Sequence, residues 1–251
     1  MTSDDTSALI VSARAEVDAA IGPADSVTDR PTALRSAATL AGRIDHTLLA
    51  PDATAERIEA LCAQAREHGF ASVCVNSRWV PLAAACLRGS DVVVCSVVGF
   101  PLGAMAVEAK AFESGVAVSS GADEIDMVMD IGSMLSGDLE AVLADMRAVV
   151  RASAGRPVKV IIEACLLDDR QKVLACLLAV RSGAAYVKTS TGFSVGGATL
   201  HDVALMRAVV GDALGVEASG GIRDRATALA MIDAGADRIG ASASIAIAAE
   251  E

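Results

Sequence analysis

From Arg43 onward the chain alternates short runs of β-branched and other apolar residues with longer Ala- and Leu-rich stretches of helical spacing. The apolar runs predict strands at 43–49, 71–76, 92–98, 124–130, 158–163, 186–189, 216–219 and 238–241. Between them, 53–68, 137–151, 168–182 and 199–210 carry helical patterns. Gly121-Ala122, Gly183-Ala184 and Gly235-Ala236 each put a glycine just past a predicted helix end, where a left-handed cap is called for. Such alternation implies parallel strands joined by right-handed crossovers. Eight units in about 200 residues suit a closed (β/α)8 TIM barrel. An open doubly wound sheet is the alternative, but no G-x-G-x-x-G follows the first strand, so a dinucleotide site is unsupported.

The pattern before Arg43 is different. Residues 8–20 predict one amphipathic helix, broken at Gly22-Pro23 and again at Pro31. Residues 1–42 therefore read as a helical extension or arm, and 43–251 as the barrel.

Composition narrows the chemistry. Of 251 residues, 53% are hydrophobic but only 2% aromatic, so the core must be aliphatic. The longest uncharged stretch, 92–107, is broken by Gly99 and Pro101 and is too short to span a bilayer. Asp4 and Asp5 stand where a signal peptide would carry basic residues, and a cytoplasmic protein is expected. A net charge of −11 argues against nucleic-acid partners, which demand basic patches. A small phosphorylated ligand needs only a few backbone N–H groups and stays open. Six scattered cysteines without a C-x-x-C pair predict buried free thiols. The three histidines, His46, His68 and His201, lack metal-site spacing, so no protein metal site is expected, and nothing in the chain points to a nucleotide cofactor.

Barrel chemistry belongs at the C-terminal ends of strands. Polar residues interrupt the apolar runs at Asp45, Asp126, Lys159, Glu163, Lys188 and Glu217. The chain has 17 arginines but only four lysines, and two of those, Lys159 and Lys188, fall inside strands. A charged amine is costly to bury, and arginine cannot replace lysine where an amine must turn neutral and attack a carbonyl. On the residues alone, Lys188 is either such a nucleophile or half of a buried ion pair. Glu124 and Asp126 share one strand face, as do Lys159 and Glu163, which could be a structural pair. Gly220-Gly221-Ile222-Arg223 and Gly240-Ala241-Ser242 follow the seventh and eighth strands, where such barrels hold phosphates. Gly192 would complete that cradle.

The segment Tyr186-Val187-Lys188-Thr189-Ser190-Thr191-Gly192-Phe193, continuing to Gly196-Gly197-Ala198-Thr199, resembles the Schiff-base lysine motif of the 2-deoxyribose-5-phosphate aldolases. The resemblance extends over roughly residues 43–245 and includes Ile44–Leu49, Val73–Asn76, Val98–Gly103, Gly121–Asp130 and Lys159–Glu163. It implies a class I aldolase without a metal, in which Lys188 forms an iminium and Asp126 shuttles protons through a water. It implies reversible cleavage of a phosphorylated deoxysugar to glyceraldehyde 3-phosphate and acetaldehyde. Asp45, Thr189, Gly192, Gly220, Gly221, Arg223, Gly240 and Ser242 become substrate- and phosphate-binding candidates, and a homodimer is the implied assembly.

The chain departs from that pattern in one place. Family members usually read Val-Lys-Ala-Ser-Gly-Gly at the seventh strand, and here Glu217 replaces the lysine. A cation beside Lys188 would lower its pKa, whereas a carboxylate raises it. One charge at about 4 Å in an effective dielectric of ~20 is worth roughly 4 kcal/mol, or about three pKa units. Three readings are open: a disabled enzyme, a natural variant in which Lys159 is the activating cation, or a protein turned to another reaction or to binding alone. The alternatives to an aldolase are thus a non-catalytic sugar-phosphate-binding barrel and an acid–base isomerase using Asp126. Ala243 is a smaller departure, where a second serine is usual; Ser244 is the candidate substitute.

Overall fold

The computed structural model describes residues 2–23 and 39–249. Eight parallel strands close into a barrel in sequence order: β1 (Ile44–Leu48), β2 (Ser72–Asn76), β3 (Val93–Val98), β4 (Glu124–Val128), β5 (Val158–Ile161), β6 (Tyr186–Lys188), β7 (Gly215–Ser219) and β8 (Arg238–Ala241). Around them lie α1 (Ser3–Ile21), α2 (Ala55–His68), α3 (Val80–Cys86), α4 (Val107–Ser119), α5 (Ile131–Ser136), α6 (Leu139–Ala152), α7 (Asp169–Ser182), α8 (Leu200–Val210), α9 (Arg225–Asp233) and α10 (Ser244–Ala248). This is the (β/α)8 architecture that the alternation predicts. Among the described residues no helix is long and apolar enough to cross a membrane.

Element boundaries follow capping chemistry. The Thr54 hydroxyl accepts from Arg57 N, so α2 starts at Ala55 rather than at residue 53. Strand β4 stops short of the predicted residue 130 because the Asp130 carboxylate accepts from Ser133 N and starts α5, a short helix that the pattern did not announce. Strand β5 ends at Ile161, since Glu163 takes a left-handed conformation with φ near 50°.

The main core is the aliphatic layer between strands and helices, as the composition demands. Helix α7 is buried along most of its length because α1 packs over its outer side. Helix α1 begins at Ser3, earlier than the predicted residue 8, because Thr2 and Asp5 form a capping box. It docks through Ala13 and Val17, both buried, and through Glu16–Arg170 and Asp18–Arg181 ion pairs. Arg181 Nη1 also donates to Gly22 O at 2.9 Å. The Pro31 break lies outside the described residues.

Register brings the polar strand residues together. Lys159 stands opposite Asp126, Lys188 opposite Glu217, Glu217 opposite Arg238, and Asp45 opposite Gly240. A second, small apolar cluster of Cys74, Cys95 and Val97, with Leu49 and Phe100 against it, is separate from the outer core.

Candidate active site

The lumen holds a buried charge network. Lys188 Nζ contacts Asp126 Oδ2 and lies 2.7 Å from Glu217 Oε1. Lys159 Nζ lies 2.6 Å from Asp45 Oδ2, 3.0 Å from Glu124 Oε2, 3.1 Å from Glu217 Oε2 and 3.3 Å from Asp126 Oδ1. Arg238 closes the set through Asp45 and Glu124. Three cations therefore face four carboxylates. The fourth carboxylate is Glu217. Both its oxygens sit within ion-pair distance of an amine, yet neither accepts a well-directed hydrogen bond.

The protonation of these groups follows from that arrangement. Burial pushes the Glu217 carboxyl up, against the pull of Lys159 and Lys188, to about 7. Burial also disfavours the Lys188 ammonium, but the carboxylates of Asp126 and Glu217 outweigh it and hold the amine well above the ordinary lysine range. Lys159 is held high likewise, burial being overcome by Asp126 and Asp45. Burial opposes ionisation of Asp126 and Asp45, yet neighbouring cations keep both below the usual carboxylate range.

Above the network opens a cavity of about 400 Å³ at the C-terminal ends of the strands. Lys188, 5% exposed, forms part of its wall. Gly192, Gly220, Gly221, Arg223, Gly240 and Ser242 line it as well. Asp126, Lys159 and Glu217 lie beneath, wholly buried, and Asp126 and Glu217 contact Lys188 directly.

Several expectations are relocated. Asp45 does not line the cavity; it is buried among Lys159, Arg238 and Ser72, whose hydroxyl donates to it at 2.6 Å. Thr189 is likewise enclosed, donating from Oγ1 to Ser219 O at 3.0 Å. The proposed Lys159–Glu163 pair is absent, because Glu163 turns out of the strand to accept from Thr191 while Lys159 faces four other carboxylates. Gly240 sits within β8 rather than after it. A Cβ there would lie 2.7 Å from Glu217 Oε1 and 3.5 Å from Lys188 Nζ. Ser244 does not replace the missing serine: it is buried, and its hydroxyl donates to Ala241 O. Gly220–Arg223 is separated from the start of α9 by Asp224, whose side chain caps that helix.

Sequence reasoning missed several participants. Arg238 begins β8 two residues before Gly240, and period-2 alternation could have aimed it inward. Cys95 Sγ lies 3.1 Å from Asp126 Oδ1, and Cys74 Sγ lies 4.0 Å from Oδ2, so these two thiols pack on the network. No spacing signal marks them, because their proximity comes from strand register. All six cysteines are free, but Cys86 and Cys165 are only partly buried. Phe100 and Phe193 meet edge-to-face over the cavity with centroids 5.2 Å apart.

Two clusters among the described residues have a metal-ligand composition. In Cys74–Cys95–Asp126, the Lys188 and Lys159 ammoniums already contact Asp126. In Asp169–His201–Asp202, Lys172 Nζ lies 3.1 and 2.7 Å from the two aspartates. An ammonium serves the carboxylates in each.

Known proteins resemble the chain in sequence and in fold. The chain is 58% identical over 204 residues to a deoxyribose-phosphate aldolase of Brevibacillus brevis, covering 81% of this chain and 92% of that one. It is 60% identical to one from Streptococcus pneumoniae, covering 81% and 93%. Among solved structures, the aldolase QR15 superposes with a TM-score of 0.81 at 37% identity, covering 84% of this chain and 95% of that one. The tetrameric deoxyribose phosphate aldolase of Aeropyrum pernix gives 0.78 at 36%, covering 83% and 89%. The profile of the DeoC/LacD family aldolases matches residues 39–248, and the chain belongs to that family.

Proposed function

We propose that the protein cleaves 2-deoxy-D-ribose 5-phosphate reversibly to D-glyceraldehyde 3-phosphate and acetaldehyde, through a Schiff base on Lys188. The observation that carries this reading is a buried amine in the wall of a cavity large enough for a pentose phosphate. In its neutral form, Lys188 attacks the C1 aldehyde of the open-chain sugar, and the carbinolamine loses water to give an iminium. The C3 hydroxyl gives up its proton, the C2–C3 bond breaks and its electron pair enters the iminium. Glyceraldehyde 3-phosphate leaves, and an enamine remains. Protonation at C2 and hydrolysis release acetaldehyde and regenerate the amine.

Asp126 touches the reacting nitrogen and is the proton shuttle in this reading. Lys159 and Glu217 act on the nitrogen's protonation rather than on the sugar. Glu217 raises the cost of freeing the amine, so aldolase activity below that of a lysine-bearing relative is expected. Gly192, Gly220, Gly221, Arg223 and Ser242 form the phosphate cradle, with glycine allowing close backbone approach. Free thiols suit a cytoplasmic location, and a homodimer is the assembly the family resemblance suggests.

The direct test is to incubate the purified protein with 2-deoxyribose 5-phosphate and measure acetaldehyde release. Release that is lost in Lys188→Ala supports the reading. Equal rates with and without that lysine would contradict it.

A further inference from the structure

A cation that neither the Schiff-base nor the glycine loops account for also lines the cavity. Arg57 stands in the first turn of α2, two residues into the helix that Thr54 caps. It shares the cavity with Lys188, Arg223 and Ser242. Strands β1 and β8 are neighbours, so the start of α2 adjoins the loop that carries Ser242. A guanidinium in a first turn lies at the wrong end of the helix dipole, which favours anions there. Local helix stability does not explain the residue.

Its partner is weak. Asp52 Oδ1 lies 3.2 Å from Arg57 Nη1, and Asp52 O accepts from the same Nη1 at 3.4 Å. The two side chains are 47% and 80% exposed. An exposed pair of this kind contributes little, whereas a phosphate accepts charge-assisted, bidentate hydrogen bonds from a guanidinium. Nε and Nη2 stand outside the Asp52 pair. A chain of net charge −11 also repels a dianionic substrate, which gives local cations at the mouth added weight.

We infer that Arg57 is a further substrate-positioning residue: it exchanges Asp52 for the phosphate of the incoming sugar and closes the cradle from the β1 side. Asp52 holds the guanidinium at the mouth until that exchange. This inference rests on the aldolase reading for its substrate, but not for its anion chemistry.

The test compares Arg57→Gln, Arg57→Lys and Asp52→Asn with wild type, on 2-deoxyribose 5-phosphate and on unphosphorylated 2-deoxyribose. Arg57→Gln is expected to raise KM for the phosphorylated sugar about tenfold while kcat changes less than about twofold. The preference for the phosphorylated over the neutral sugar should fall by the same factor. Arg57→Lys should recover part of it, and Asp52→Asn should lower KM. The decline of kcat/KM with added salt should be shallower in Arg57→Gln. In parallel, titration with inorganic phosphate reads the anion site without turnover, and Arg57→Gln should weaken it about tenfold. An equal loss on both sugars, or unchanged phosphate binding, overturns the inference while leaving the aldolase reading intact. If wild type cleaves neither sugar, the aldolase reading fails, and the phosphate titration still decides the role of Arg57.

Discussion

Glu217 Oε1 lies 2.7 Å from Lys188 Nζ, with the two residues opposite one another in the β6–β7 register. That contact ties the protonation of the amine to that of one carboxyl. The Lys159 cation pulls the Lys188 amine down, against Asp126 and Glu217, while its own charge is shared among Asp45, Glu124, Asp126 and Glu217.

Replacing this carboxylate with a cation should free the nucleophile. Glu217→Lys is expected to raise kcat/KM for cleavage at neutral pH by about tenfold or more, given the roughly 4 kcal/mol that one charge is worth at such separation. Steady-state rates on 2-deoxyribose 5-phosphate check it. An unchanged or lower rate in a folded variant would refute the electrostatic account.

The same contact gives a pH signature. Because Glu217 titrates at about 7, it is mostly neutral in wild type at about pH 6 and mostly ionised at about pH 8. Glu217→Gln removes the charge at every pH. The ratio of variant to wild-type kcat/KM should be near one at the lower pH and climb as pH passes through 7. A flat ratio across the profile would separate Glu217 from the amine.

Stability carries the opposite trend. Glu217 has a folded pKa raised above its unfolded value of 4.5, so the folded state binds the extra proton between those limits. Its contribution is full below about pH 4.5 and is lost as pH rises to about 7, on the order of 3 kcal/mol in all. Asp45 and Asp126, whose pKa values are depressed, contribute above about pH 4 and lose it on acidification. Urea denaturation at stepped pH should therefore show stability declining from about pH 5 to 7 in wild type, with a flatter curve in Glu217→Gln. Parallel curves for the two proteins would contradict this assignment.

Gly240 tests the packing under the cavity. Alanine there would bring a Cβ against Glu217 Oε1 at 2.7 Å and Ser219 Cβ at 3.0 Å. The Glu217 carboxyl must shift, and its contact with Lys188 with it. Gly240→Ala is expected to cost about 1–3 kcal/mol in denaturation and to alter the pH dependence of cleavage. A variant with wild-type stability and pH profile would show the site to be more yielding.

Much of this was legible in the chain, and the reasons are physical. Strand runs and helical spacing report burial directly, so the barrel and its eight strands could be read from period alone. Lys188, Asp126, Lys159 and Glu217 stood out because charge inside an apolar run is costly without a partner. Partners are harder to read, since they depend on register across strands that are distant in sequence. The Lys159–Glu163 pairing followed strand alternation past Ile161, where the backbone had already turned at Glu163. Arg238, Cys74 and Cys95 entered the network through the closure of β8 on β1 and the alignment of β2 with β3, which no local spacing encodes.

The most direct test of Schiff-base chemistry is covalent capture. Acetaldehyde and borohydride added to the wild-type protein should leave one ethyl group, mapped by peptide mass analysis to Lys188, with greater yield in Glu217→Lys. Ethylation confined to other lysines, or no ethylation while folded protein persists, would contradict the central claim.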